Sequence, residues 1–210
     1  MIINDPNAIE ARSMEIIEGE LAAMGIDIPE ERKPVVKRVI HATADFDYAA
    51  NLFFSEGAVE RALEALRNGC SIVTDTQMAK SGINKAAAAK LGCEIQCFMS
   101  DPDVAAEAKE RGCTRALVSM EKASRLPGPL IFAVGNAPTA LLAIRDLIDA
   151  GKLRPELVIG APVGFVNILE AKDAILALGD DVPHIVAKGR KGGSNVAAAI
   201  VNALMYKITR

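Results

Sequence analysis

The side chains best suited to acid–base chemistry in this sequence are its two histidines, and only one of them, His41, sits among charged groups at helical spacing. Between Lys33 and Asp45, residues Val35, Val36, Val39, Ile40 and Thr43 fall in one sector at about 100° per residue, the buried stripe of an amphipathic helix. Arg38 and His41, three positions apart, project roughly opposite that stripe and reach solvent, a cleft or a partner subunit. A histidine in the last helical turn lies at the negative end of the helix dipole, which favours imidazolium and proton donation. The neighbouring cation of Arg38 opposes it. An ordinary solvated face carrying Lys37, Arg38 and His41 accounts for the same wheel, so chemistry at His41 needs support from elsewhere in the chain.

That support depends on the elements around it. Pro34 is tolerated only in a first turn, which starts this helix near Lys33 and leaves Asp45 just past its end. An earlier helix is capped by Asp5 and opened by Pro6, with Ile9, Ile16, Ile17, Leu21 and Met24 as its expected stripe. Short apolar runs then alternate with helical segments, at Leu52–Phe54, Cys70–Thr74, Glu94–Met99, Leu130–Val134, Leu157–Ile159 and His184–Ala187. Glycines 69, 92, 112 and 179 close the helices between them. This pattern predicts one α/β domain over residues 1–210, built on a parallel sheet of five to six strands covered on both faces.

In a parallel sheet all strand carboxyl ends share one edge, so the loops leaving them converge. Four such loops combine glycine or small residues with a helix start: Thr74–Met78, Gly135–Ala140, Gly160–Asn167 and Gly189–Asn195. Unpaired N–H groups and positive dipole ends there suit a ligand with several anionic groups. Thr74, Thr76, Asn136, Thr139, Gly164, Gly193 and Ser194 are the candidate contacts, with Asn167 as a further side-chain donor. Arg12, Arg38, Arg115, Arg190 and Lys191 are candidate countercharges. The last loop lacks P-loop spacing, and no GxGxxG follows the first strand, which disfavours a conventional dinucleotide fold.

Composition narrows the ligand further. A net charge of -3 and 4% aromatic residues argue against nucleic acid. No apolar run reaches membrane-spanning length, and the segment MIINDPNAIE has no leader-peptide pattern. Four cysteines, at 70, 93, 97 and 113, lack CxxC spacing and neighbouring histidines, so reduced thiols in a cytoplasmic protein are expected. Cys93 and Cys97 would share one strand face, which leaves a metal pair as a minor alternative.

DPNAIEARSMEII, VKRVIHATAD, TDTQMAKSGI, CTRA, VGNAPTAL, GAPVGFVN and GRKGGSNVAAA, in that order and over nearly the whole chain, resemble the precorrin-8X (cobalt-precorrin-8) methylmutase family. The resemblance implies a flavodoxin-like three-layer α/β/α fold and a homodimer acting late in cobalamin synthesis. It implies an intramolecular methyl shift from C-11 to C-12 of a tetrapyrrole, metal-free or cobalt-bound, giving hydrogenobyrinate or cobyrinate, with no cofactor. The family's catalytic histidine falls on His41, and its substrate-contacting serine and arginine on Ser13 and Arg38. On the helical wheel Ser13 suits equally a hydroxyl bonded back to the Ile9 carbonyl. Two departures stand out: Ala116 where the family often has serine, and His184 where an aromatic is usual. His184 reads as a core or edge substitution.

Overall fold

The computed structural model describes residues 4–210, with Asn7 by its backbone only; Met1–Ile3, the start of the segment expected to lack a leader pattern, lie outside the described residues. The strands are β1 (Leu52–Phe54), β2 (Ser71–Thr74), β3 (Glu94–Gln96), β4 (Leu130–Val134), β5 (Leu157–Gly160) and β6 (His184–Ala187). The helices are α1 (Pro6–Ala23), α2 (Lys33–Thr43), α3 (Tyr48–Asn51), α4 (Ala58–Arg67), α5 (Gln77–Gly82) and α6 (Lys85–Lys90). They continue with α7 (Pro102–Arg111), α8 (Arg115–Ala123), α9 (Pro138–Asp149), α10 (Ile168–Leu176) and α11 (Ser194–Thr209).

The six strands form one sheet in the order β1-β6-β5-β4-β2-β3. All neighbours are parallel except β1, which pairs antiparallel with β6, so the expectation of a wholly parallel sheet is corrected at that edge. An apolar triplet such as Leu-Phe-Phe encodes burial but not direction. Without β1, the order β3-β2-β4-β5-β6 is the flavodoxin-like arrangement, with its switch point between β2 and β4.

Period-two alternation divides the core into two layers. Ile72, Ile131, Ala133, Leu157, Ile159, Ile185 and Ala187 face α1, α2, α4 and α11. Val73, Leu130, Phe132, Val134, Val158 and Val186 face α8, α9 and α10. The four closing glycines, 69, 92, 112 and 179, all have left-handed φ, as helix termination there requires. No described helix is long and apolar enough to cross a membrane.

Asp5 accepts from the Ala8 amide at 3.1 Å, so α1 begins where its cap and proline place it. Its expected stripe holds only at Ile17 and Leu21; Ile9, Ile16 and Met24 are exposed, because α1 touches the domain along a narrow line. Helix α2 buries Val35, Val36, Val39 and Ile40 as expected, and Ala44 in left-handed geometry ends it. The cysteine expectation also shifts: Cys93 pairs with Cys70, their Sγ atoms 3.6 Å apart, rather than with Cys97. Among the described residues no cluster of three or more potential metal ligands occurs.

His184 is the core substitution expected. It is 1% exposed, stacks on Phe53 at 5.5 Å, and its Nδ1 lies 2.8 Å from the Val182 carbonyl, while Nε2 has no partner. Burial holds its imidazole below the usual histidine range, against the opposing pull of the Val182 carbonyl and of Asp180. The folded chain therefore refuses a proton that the unfolded chain takes up as pH falls through about 6.5, so stability is full above that pH and declines below it. His184→Phe, which keeps the stack and removes the orphan nitrogen, is expected to narrow the stability gap between pH 8 and pH 5.5 in denaturant titrations. An unchanged gap would exclude His184 as its source.

Candidate functional site

The carboxyl edge of the sheet carries a continuous ledge whose centre is a carboxylate. Asp75, directly after β2, is fully buried and accepts the backbone N–H groups of Gly135, Asn136 and Ala137 at 2.8, 2.8 and 2.6 Å. Burial pushes its carboxyl up and the three amides pull it down. The loop after β4 was expected to offer these amides to an anionic ligand; they are satisfied internally, and the expectation is corrected there. A second strap joins β2 to α11: the Thr76 and Ser194 hydroxyls are 2.7 Å apart, and Thr76 also caps α5 through the Ala79 amide. Gly135 passes so close to Ser194 that a Cβ would lie 2.7 Å from its Cα, which is why no side chain is tolerated.

The loops after β5 and β6 are fastened similarly. Gly193 N–H donates to the Ala161 carbonyl at 2.8 Å, and Gly164 N–H to the Arg190 carbonyl at 3.2 Å, so these two candidate glycines shape the ledge through their backbones. Lys191 bonds Asp45 and Asp47 at 2.7 and 2.6 Å, tying the last loop to the chain just past α2. What the ledge leaves open are two helix starts. The amides leading into α9 are taken by Asp75 and the first residue of that helix, Pro138, has no N–H, whereas α10 and α11 begin without side-chain caps. Their first-turn N–H groups and dipoles face the edge where the strands end.

The other candidates divide. Thr74 is buried, its hydroxyl directed to the carbonyls of Thr76 and Gln96, so it does not face a ligand. Asn136 is exposed on the ledge, and Thr139 meets Thr114 at 3.1 Å beside it. Arg115, exposed, opens α8 next to Thr114. Ala116 is buried in the α8–α9 core, so it presents nothing to the ledge. Arg12 pairs with Glu15 on the outer side of α1 and is 60% exposed.

His41 is exposed and lines a shallow cleft of about 240 Å³ with Ser13, Ile16, Ile17, Glu20, Ile40, Ala44 and Phe46. The Ser13 hydroxyl donates to the Ile9 carbonyl at 2.8 Å, which leaves only its lone pairs for a ligand. Arg38 is not in that cleft. It is half-buried, ion-paired with Glu10, and its guanidinium lies 5.1 Å from the Tyr206 ring centroid; opposite the buried stripe as the wheel requires, it lines a separate cleft with Met14, Glu18 and Lys37. The long side chain turns along α1 and α11, and this pairing holds the Glu10 carboxyl below its usual range.

Sequence reasoning missed Asp75, Glu10, Tyr206 and Lys172. Lys172 had a visible signal: with Ile168, Ala171 and Ile175 it completes the apolar stripe of α10, where a lysine is out of place. The Asp75 strap yields a direct check. Asp75→Asn removes one carboxylate oxygen and strands at least one buried amide, an expected loss of about 1–3 kcal/mol in denaturant titrations. Asp75→Ala is expected to lose more, and equal stability in both variants would contradict the role given to the carboxylate.

Fold and ledge define the chain as a flavodoxin-like α/β/α protein whose helix-opening loops gather at the carboxyl edge. The family profile for precorrin-8X methylmutase matches residues 8–207. The cobalt-precorrin-8 methylmutase of Priestia megaterium is 44% identical over 199 residues, covering 95% of this chain and 87% of that protein. The Salmonella typhimurium protein of the same name is 42% identical, covering 98% and 97%. A solved precorrin-8X methylmutase from Thermus thermophilus superposes with a TM-score of 0.86 at 42% identity, covering 95% of each chain. The chain belongs to the precorrin-8X methylmutase family.

Proposed function

We propose that this chain catalyses the isomerisation for which its family is named, in cobalamin biosynthesis. A methyl group moves from C-11 to C-12 of precorrin-8X or cobalt-precorrin-8, giving hydrogenobyrinate or cobyrinate. Because the methyl group stays within one molecule, no S-adenosylmethionine or other cofactor is called for; cobalt, where present, belongs to the substrate. The observation that carries this reading at the level of geometry is the pair of uncapped helix starts at α10 and α11. A tetrapyrrole rimmed with acetate and propionate groups complements such an edge. Thr76, Asn136, Thr139, Ser194 and Arg115 are assigned to the periphery of the ring, with Gly164 and Gly193 shaping the loops that meet it.

His41 is assigned as the general acid toward the ring C nitrogen. Protonation there stabilises the electron redistribution that accompanies migration, help that counts only as charge develops in the transition state. Ser13, in the same cleft, is assigned to substrate contact. Arg38 is assigned to substrate contact from a separate cleft between α1 and α2, which it lines with Met14, Glu18 and Lys37.

The His41 cleft, about 240 Å³ and open to the surface, cannot by itself enclose a tetrapyrrole, since sites that bury drug-sized ligands run to about 300–1,000 Å³. We therefore assign a homodimer in which a second subunit encloses the macrocycle over His41. Ile9, Ile16 and Met24 on α1 and Phe165 and Val166 beyond β5 are exposed apolar residues suited to that contact. All four cysteines are free thiols, which suits the reducing cytoplasm.

His41→Ala is expected to retain binding of hydrogenobyrinate, read by visible absorbance, while turnover falls by about 10²–10⁴-fold. Full turnover in this variant would remove His41 from the chemistry. A wild-type protein that fails to bind hydrogenobyrinate or cobyrinate would sink the methylmutase reading itself.

A further inference from the structure

Lys172 is 1% exposed, yet no carboxylate of the described residues pairs with it. Its Nζ donates to two backbone carbonyls of the loop after β6, Gly189 at 2.7 Å and Lys191 at 2.8 Å. A buried ammonium is costly unless paired, and burial alone pushes this one down to about 8. If the loop needed no more than a brace, a neutral donor would serve with a smaller desolvation penalty.

The geometry of the peptide unit gives the lysine a second consequence. No cis peptide occurs among the described residues, and in a trans peptide the C=O and the following N–H point in opposite directions. Drawing the Gly189 and Lys191 carbonyls inward to the ammonium therefore turns the N–H groups of Arg190 and Gly192 away from it. None of the four loop amides from 189 to 192 has a backbone acceptor among the described residues, whereas the amides at 188 and 193 both do; of the four, those of Arg190 and Gly192 are the two whose direction the lysine sets. The position of Gly192 is fixed at the same time: a Cβ there would lie 2.2 Å from the Ala161 carbonyl oxygen, so the loop cannot relax around a side chain.

We propose that Lys172 is a positioning residue that aims the Arg190 and Gly192 amides at one peripheral carboxylate of the bound tetrapyrrole, while its own positive charge lies behind them. The inference rests on the methylmutase reading and adds to it a specific anion subsite and the residue that builds it. Lys172 does not touch the substrate. Its effect runs through the two peptide units it holds, which places it in binding and leaves the migrating methyl group untouched.

The test compares wild type, Lys172→Met and Lys172→Arg, titrating each with cobyrinate and with cobinamide, a corrinoid whose peripheral side chains are amides. Wild type is expected to prefer cobyrinate. Lys172→Met is expected to bind cobyrinate roughly tenfold or more weakly, with cobinamide binding little changed. Its KM is expected to rise while kcat stays within a few-fold, and Lys172→Arg is expected to restore part of the affinity. A general structural defect would weaken both ligands and lower kcat as well.

If Lys172→Met does not fold, amide NMR of the wild type decides. The Arg190 and Gly192 N–H resonances are expected to move downfield on adding cobyrinate and to stay in place with cobinamide. Unchanged selectivity in a folded Lys172→Met protein, or no shift at these amides when cobyrinate is bound, would overturn the proposal. Failure of the wild type to bind either corrinoid would instead overturn the methylmutase reading beneath it.

Discussion

The gap between β2 and β4 is where a doubly wound sheet must open, because the connections on its two sides run in opposite directions. Here that gap is bridged by a buried carboxylate. Asp75 gathers the three amides that lead into α9, and thereby sets where that helix starts and how closely Gly135 approaches Ser194 at the start of α11. An unpaired carboxylate at this depth would be strongly disfavoured, and three stranded amides would be too. Together they satisfy each other, and the ledge inherits a fixed spacing. The Thr76–Ser194 hydroxyl pair and the Gly193–Ala161 bond extend the same fastening across the edge. Loops held in this way offer preorganised donors, which is what an electrostatic site requires.

Much of this architecture is legible in the amino-acid sequence alone. Strand positions follow from apolar runs, helix ends from glycines that readily take the left-handed φ of a closing turn, and the start of α1 from the Asp5-Pro6 pair. The direction of β1 is not legible, since Leu52–Phe54 reads alike in either orientation and only its pairing with β6 decides. The stripe of α1 misleads for a related reason. Ile9, Ile16 and Met24 satisfy the helical period, but periodicity records which face is apolar and not whether the chain itself covers it.

The meeting of the candidate loops is legible in the sequence, and their free donors less so. The four loops do meet at one edge, yet sequence patterns cannot say which of their amides remain free. Asp75 takes three of them, and that choice depends on the separation of β2 and β4 in the sheet, a contact between residues about sixty apart. Arg38 shows the same limit at the level of a side chain. The wheel gives the direction of its Cβ correctly, but Glu10 and Tyr206, brought in by α1 and α11, decide where the guanidinium ends.

These outcomes change what kind of anion site the fold supports. The arginines that the sequence offers as countercharges are mostly engaged or remote: Arg12 with Glu15, Arg38 with Glu10, and Arg190 stacked over the Phe165 ring at 5.6 Å. Lys191 is taken by Asp45 and Asp47, which hold its ammonium well above the usual lysine range. What remains are backbone amides at helix starts, which are fixed in direction and lose little conformational entropy when a ligand arrives. Long flexible cations would attract carboxylates more strongly at a distance but would have to be ordered on binding. For a rigid macrocycle of the kind proposed above, fixed amides are the better device. The Lys191 ion pairs couple the ledge to the segment that follows α2, and so hold the loops of the carboxyl edge and the helix that carries His41 in one register.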